Sequence, residues 1–317
     1  MERFYKIKLN IYCIFMNWES AISDFVTYLR LEKSLSDNSI EAYRHDVMKL
    51  YQYLIATDQS EITPEKITIE HLHEFLYWIN HDENEKINER SQARIISGIK
   101  NFFAYLQLDD IINIDPTDLL QAPKIPKKLP VYLSIEEIDK LINAVDVTKD
   151  EGHRNRAIIE TLYSCGLRVS ELVNLRIHNL HFKEGFIRIV GKGDKERLVP
   201  ISDKAIREIN NYMQWRCHLT IPEGEQDYLF LNRRGKHMTR NMVFLIIKDV
   251  AARVGLSKNI SPHTFRHSFA THMVNAGADL RSVQEMLGHE SILTTEIYTH
   301  LDKQHLHDTI MLYHPRR

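Results

Sequence analysis

Apolar positions recur at helical spacing along the first third of the chain. In "NWESAISDFVTYLRLEK" Trp18, Ile22, Phe25, Val26 and Leu29 fall at i, i+4, i+7, i+8 and i+11, a single stripe along one helix face. The segment "SDNSIEAYRHDVMKLYQYLIAT" repeats the pattern with Ile40, Tyr43, Val47, Leu50, Tyr51 and Leu54. Two further helices are predicted in "TPEKITIEHLHEFLYWIN" and "SQARIISGIKNFFAYLQL", with the acidic "DENEKINER" (82–90) as the solvated loop between them. Four amphipathic helices with short connections make a small helical unit over 17–120.

That pattern stops at "QAPKIPKKLPV" (121–131), which carries Pro123, Pro126 and Pro130 among Lys124, Lys127 and Lys128. Three prolines in this span exclude a helix interior or a central strand, so the segment is expected to be an extended linker and the domain boundary. Beyond it, "SIEEIDKLINAV" opens with a capping-box pattern from Ser134 to Glu137. "NRAIIETLYSCGLRVSELVNL" predicts a buried helix, a break at Gly166 and a second helix from about Val169 or Ser170. In "GFIRIVGKGDKERLVPIS" the alternation of Phe186, Arg188 and Val190, resuming at Arg197, Leu198 and Val199, predicts a β-hairpin turning at Gly191–Glu196. The rest is expected to be helical, so the fold class is mainly α (α+β).

A chain of 317 residues with 43% apolar and 26% charged residues is long enough for two ordinary cores. No apolar run reaches the ~18 residues of a membrane-spanning helix. The three cysteines, Cys13, Cys165 and Cys217, stand far apart, which argues against a disulfide framework and for a reducing, cytoplasmic setting. The opening "MERFYKIKLNIYCIFM" lacks a small-residue cleavage site and is expected to be an extension ahead of a start at Met16.

Net charge is −2, but its distribution is uneven. Residues 17–123 hold 9 Lys and Arg against 19 Asp and Glu, whereas 124–317 hold 29 against 23. The basic C-terminal part favours a polyanionic partner. In the fourth helix Arg94, Ser97 and Lys100 recur every third residue opposite Ile95, Ile99, Phe102 and Phe103. Such a face is either ordinary solvated surface or one laid against DNA phosphates. Arg44, on the second helix, and the linker lysines Lys124, Lys127 and Lys128 join it as candidate DNA contacts.

The densest chemistry lies in "SPHTFRHSFATHM" (261–273). Ser261 is a natural N-cap and Pro262 a natural first helical residue. His263 and Arg266 then share a face near the positive end of the helix, where an anion is best received. A zinc site from His263 and His267 would lack the carboxylate base of such helices and place Arg266 between the ligands, so phosphate is preferred to metal. His267 and His272 are expected to be structural or to support the residues that would hold the phosphate. Further on, "AGADLRSVQEMLGHESILTTEIYTH" predicts a stop at Gly277, a cap at Asp279, a helix to Leu287, a terminator at Gly288 that fixes His289 at a bend, and a short helix from about Ser291 carrying Tyr298.

Arg168 in "GLRVSEL", Lys192 in "GKGDKE", His263 and Arg266 in "HTFRH", His289 in "LGH" and Tyr298 in "TTEIYTH" together resemble the signature of the tyrosine recombinases, all six in order and at the family's spacing. The resemblance spans residues 17–317, and within the family it is strongest to the bacterial Xer branch. It implies a SAM-like, core-binding domain over 17–120 and a mostly helical catalytic domain over 132–317. It also implies cleavage of DNA through a 3′-phosphotyrosyl intermediate on Tyr298, without metal, ATP or other cofactor. Arg168 and Arg266 would neutralise the phosphate, His263 and His289 would hydrogen-bond it or assist proton transfer, and Lys192 would protonate the 5′ oxygen. Glu171, one turn after Arg168, would either orient an arginine or be a surface charge.

The implied partners are a double-stranded DNA target and homologous protomers in a tetramer, alone or with a XerC-like recombinase, with a septal DNA translocase of the FtsK type as activator. The tail, with Leu306, Ile310, Leu312 and Tyr313, is expected to dock on a neighbouring protomer. Resolution of chromosome dimers at a replication-terminus site is the expected task. A transposon or phage integrase or a DNA invertase would use the same residues, as would a type IB topoisomerase, which exchanges no strands. A non-catalytic DNA-binding relative would have lost one of the six.

Overall fold

The computed structural model describes residues 17–81, 87–124, 131–191, 195–288 and 300–316. The chain divides into two compact units, 1–128 and 129–317. Among the described residues there are twelve helices and one small sheet.

The first unit holds α1 (Trp18–Leu31), α2 (Asp37–Ala56), α3 (Ile69–His81) and α4 (Glu89–Leu108). Asn17 caps α1 by accepting a bond from the Ser20 amide at 2.8 Å, and Asn88 caps α4 through the Ser91 amide at 2.9 Å. That second cap draws Glu89 and Arg90, expected in the solvated loop, into the first turn of α4. The predicted stripes are the core: Trp18, Phe25, Val47, Leu50, Ile99, Phe102 and Phe103 are all buried. Trp18 stacks on Phe102 at 6.0 Å and donates its indole N–H to the Ile62 carbonyl at 2.8 Å.

A buried carboxylate lies where α2 meets α4. Asp46 is 1% exposed, and its oxygens lie 2.8 and 2.6 Å from the two terminal nitrogens of Arg94. Burial pushes the Asp46 carboxyl above its ordinary range, against the pull of Arg94. Gly98 makes room for it, since a Cβ there would lie 2.6 Å from Asp46 Oδ2. Gly98→Ala would gain about 1 kcal/mol of helix propensity but incur roughly 1–3 kcal/mol of overpacking and displace the ion pair. The variant is expected to unfold at a lower temperature than the parent in a thermal melt; a higher Tm would mean that the two helices can separate without cost.

The second unit holds α5 (Ile135–Asn143), α6 (Gly152–Ser164), α7 (Val169–Val173), α8 (Asp203–Arg216), α9 (Arg240–Arg253), α10 (Pro262–Asn275), α11 (Leu280–Leu287) and α12 (His300–Tyr313). The capping box at Ser134 forms in both directions, with the Glu137 amide donating to Ser134 Oγ at 3.2 Å and the Ser134 amide to Glu137 Oε2 at 2.7 Å. Helix α6 runs through the middle of the core, with Ala157, Ile158, Ile159, Leu162 and Tyr163 fully buried. The predicted hairpin is part of a three-stranded antiparallel sheet, β1 (Leu180–His181), β2 (Phe186–Val190) and β3 (Glu196–Pro200), in that order. Ile189 pairs with Arg197 and Arg188 with Leu198. Residues 217–239, expected to be helical, form turns and isolated bridges instead, because Pro222 interrupts them and Gly224 and Gly235 adopt left-handed backbone with φ of 84° and 73°. No described helix is long and apolar enough to cross a membrane.

The tail also departs from expectation. Leu306 and Ile310 on α12 are buried in the core of their own unit, Tyr313 packs against that core, and only Leu312 faces outward. After the helix, His314 packs its ring against Tyr163 and Phe269, centroids 5.0 and 5.6 Å away. Burial holds its imidazole neutral, with the pKa pushed down to about 3. Arg316 donates through Nε and Nη2 to both oxygens of the fully buried Glu160, at 2.9 and 2.7 Å, and through Nη1 to Asp139. The apolar face assigned to a neighbouring protomer is therefore filled by the chain's own domain, and a two-carboxylate clasp on Arg316 anchors it there.

Candidate active site

Arg168 is the N-cap of α7, and its backbone N–H donates to Glu171 Oε2 at 2.8 Å. The same carboxylate accepts from Arg168 Nη1 at 2.9 Å, so the cap also orients the guanidinium. The remaining Arg168 bonds run to main chain, Nη1 to the Leu287 carbonyl at 3.4 Å and Nη2 to the Gly288 carbonyl at 3.2 Å. Glu171 is 6% exposed, so its carboxylate is no solvated surface charge, and it lies against the Arg168 guanidinium.

Arg266 comes from α10, one turn after Pro262 and His263. Its predicted N-cap residue is Ser261, but the capping bond runs from the Ser261 amide to Thr264 Oγ1 at 3.1 Å. Arg266 is buried and donates from Nη1 to the Gly166 carbonyl at 2.8 Å and from Nη2 to the Leu287 carbonyl at 2.5 Å. Two guanidinium groups, 98 residues apart in sequence, thus converge on one oxygen, Leu287 O. Burial first, and the charge of Arg168 second, push the Arg266 guanidinium down to about 10, so it remains a cation at neutral pH.

Two glycines make this corner possible. Gly288 ends α11 with φ 63°, and Gly166 precedes Arg168 with φ 57°, both left-handed. At Gly166 a Cβ would lie 2.6 Å from the Phe269 ring. Helix α11 begins as predicted at Asp279, whose carboxylate accepts the Ser282 amide at 3.0 Å.

The structure therefore brings Arg168, Glu171 and Arg266 together, with His263 exposed on the same helix as Arg266. Lys192, His289 and Tyr298, with the predicted short helix from Ser291, lie outside the described residues, as do Lys127 and Lys128. His272 is structural, with Nδ1 2.8 Å from the Tyr163 hydroxyl. On the first unit Arg94 is half exposed but shares its guanidinium with Asp46, Ser97 is exposed, Lys100 is half-buried and Arg44 pairs with Glu41 at 3.1 Å. Lys124 is exposed.

One residue was missed by the sequence reading. Arg197, 8% exposed, forks onto Glu171 with Nη1–Oε1 of 2.8 Å and Nη2–Oε2 of 2.9 Å, and its Nε donates to the Met286 carbonyl at 3.0 Å. The available signal was its phase: on β3 it falls in step with Val199 and Ile201, both buried, so it points inward. Burial works to raise the Glu171 carboxyl, but the bonds and charge of Arg197, with those of Arg168, outweigh it and hold the group below its ordinary range.

Comparison with known proteins gives the family. Residues 22–109 match the N-terminal SAM-like domain of phage integrases and residues 132–305 match the phage integrase family. A tyrosine recombinase XerD of Listeria innocua is 40% identical over 296 residues, covering 93% of this chain and 98% of that protein. One from Oceanobacillus iheyensis is 41% identical over 299 residues, covering 94% and 99%. Among solved structures, the XerH site-specific recombinase bound to a palindromic difH substrate, a post-cleavage complex, aligns with a TM-score of 0.65 at 25% identity over 90% of this chain and 83% of that one. With both units matched and such relatives aligned over nearly their whole length, this chain belongs to the phage integrase family, the tyrosine recombinases.

Proposed function

We propose that the chain is a site-specific recombinase that cuts and rejoins DNA through Tyr298. The observation that carries this reading is the convergence of Arg168 and Arg266 on one main-chain oxygen, which sets two cationic forks side by side at a single corner. A pentacoordinate phosphate between them would find the charge neutralisation that phosphoryl transfer needs, with no metal required. The Tyr298 oxygen would form a bond to phosphorus as the bond to the 5′ oxygen breaks, Lys192 giving that oxygen its proton. His263 and His289 would hydrogen-bond the phosphate or help remove the tyrosine proton. The 5′-hydroxyl of the partner duplex then reverses the step on the 3′-phosphotyrosine, so bond energy is kept and no ATP is consumed.

Arg44, Arg94, Ser97, Lys100, Lys124, Lys127 and Lys128 are proposed to contact the DNA backbone, with Arg94 the weakest member because Asp46 already engages it. The likeness to XerD proteins supports action in a tetramer of recombinase protomers at a replication-terminus site, resolving chromosome dimers in the cytoplasm of a dividing cell. A XerC-like second recombinase and an FtsK-type translocase are the further partners of this reading. The test is covalent trapping on a nicked duplex carrying the host's terminus site. The chain is expected to form an SDS-resistant adduct with and without EDTA; no adduct, or one lost to the chelator, would overturn the reading.

A further inference from the structure

Glu171 has about four lone-pair positions, and all four are taken: two by Arg197, one by the Arg168 backbone and one by its guanidinium. Arg197 also reaches the last turn of α11 through the Met286 carbonyl, one residue before the carbonyl on which Arg168 and Arg266 converge. Its stem and guanidinium pass so near Gly288 that a Cβ there would sit 3.1 Å from Arg197 Cδ, Nε and Cζ. One side chain on β3, five residues after Lys192, thus ties the sheet to the Arg168 cap and to the Gly288 corner.

We infer that Arg197 is a positioning residue for DNA cleavage: through Glu171 and Met286 O it holds the Arg168 guanidinium and the Leu287–Gly288 corner in the geometry the scissile phosphate requires. The inference rests on the phosphate-binding role proposed for Arg168. Without Arg197, the buried Glu171 carboxylate keeps a single cation, Arg168, and two of its lone pairs are empty. The Arg168 guanidinium then rotates to fork onto Glu171 and leaves the Leu287 and Gly288 carbonyls. A lysine substitutes only in part, because one ammonium restores a cation beside Glu171 but cannot span both carboxylate oxygens and the Met286 carbonyl together. Misplacing a catalytic group by about 1 Å costs on the order of 100-fold in rate.

The experiment measures single-turnover cleavage by wild type, Arg197→Met and Arg197→Lys on two nicked duplexes. One carries an ordinary scissile phosphodiester and the other an uncharged methylphosphonate at that position. If Arg197 acts by placing the positive charge of Arg168, its loss matters on the anionic phosphate and far less on the neutral one. Arg197→Met is expected to be slowed on the order of 100-fold, and Arg197→Lys about 10-fold, on the phosphodiester, with both within about 3-fold of wild type on the methylphosphonate and DNA binding within about 2-fold. The lysine variant leaves Glu171 a cation, so the comparison stands even where the methionine variant fails to fold. Equal slowing on both substrates would assign Arg197 a merely structural role, and wild-type rates on the phosphodiester would leave it no role; either result overturns the inference. A wild-type chain that forms no adduct would instead defeat the proposed function itself.

Discussion

Tyr298→Phe is expected to abolish covalent attachment to DNA entirely while leaving DNA affinity within about twofold of the parent. On the proposed mechanism the phenol oxygen is the atom that bonds to phosphorus, and phenylalanine has no oxygen to offer. A tyrosine hydroxyl with a pKa of about 10 is a weak nucleophile at neutral pH, and in the proposed reaction the cationic Arg168–Arg266 corner would supply the positive field that makes it a usable one. Binding is a separate quantity, because affinity for duplex DNA comes mainly from many phosphate contacts and one hydroxyl adds little to that sum. The check is a denaturing gel for the adduct beside a gel shift for the complex. An SDS-resistant adduct formed by the phenylalanine variant would remove Tyr298 from the reaction.

The second large effect concerns stability. Truncation after Lys303 removes Leu306 and Ile310, 2% and 1% exposed, from the core of the second unit. It also removes Arg316 and leaves Glu160, fully buried, without its bidentate partner. Each buried aliphatic side chain lost costs roughly 2–5 kcal/mol. A buried carboxylate stripped of its partner costs roughly 3–5 kcal/mol. Together these approach the roughly 5–15 kcal/mol that holds a typical domain folded. The truncated chain is therefore expected to unfold at a much lower temperature and to lose binding even to an isolated half-site. Arg316→Ala should produce a smaller drop of the same kind. A melting curve with half-site and full-site gel shifts decides the matter. An unchanged Tm with loss of cooperative loading on the full site alone would return the tail to a neighbouring protomer.

The elements were legible where a local rule governs them. The stripes of Trp18, Phe25 and Leu29 or of Ile95, Ile99 and Phe102 need only the helical period, and the caps at Ser134 and Asp279 need only a few residues of sequence. The six-residue pattern was legible for a different reason, its order and spacing. What the chain did not announce is held by distant partners. Arg94 meets Asp46 across 48 residues, Arg197 meets Glu171 across 26, and the acceptors of Arg266 are carbonyls 100 and 21 residues away. A carbonyl belongs to every residue and so leaves no trace in composition. The packing of the tail on its own unit was not legible because an apolar face states that it must be covered and not by what, and the Arg316 clasp depends on Glu160 and Asp139 far upstream.

The way Arg168 and Arg266 are held has a bearing on how this corner varies over generations. Among the described residues, the groups that bond the Arg168 and Arg266 guanidiniums directly are one side chain, Glu171, and the carbonyls of Gly166, Leu287 and Gly288. Most substitutions cannot delete a main-chain carbonyl, so these acceptors do not depend on a particular side-chain chemistry. The exposure to harm shifts to whatever shapes the backbone, which here means the two left-handed glycines, 166 and 288, and the single carboxylate. The inheritable weak points of the corner thus include Gly166, Gly288, Glu171 and, by the inference drawn above, Arg197, positions that hold the arginines without touching the phosphate.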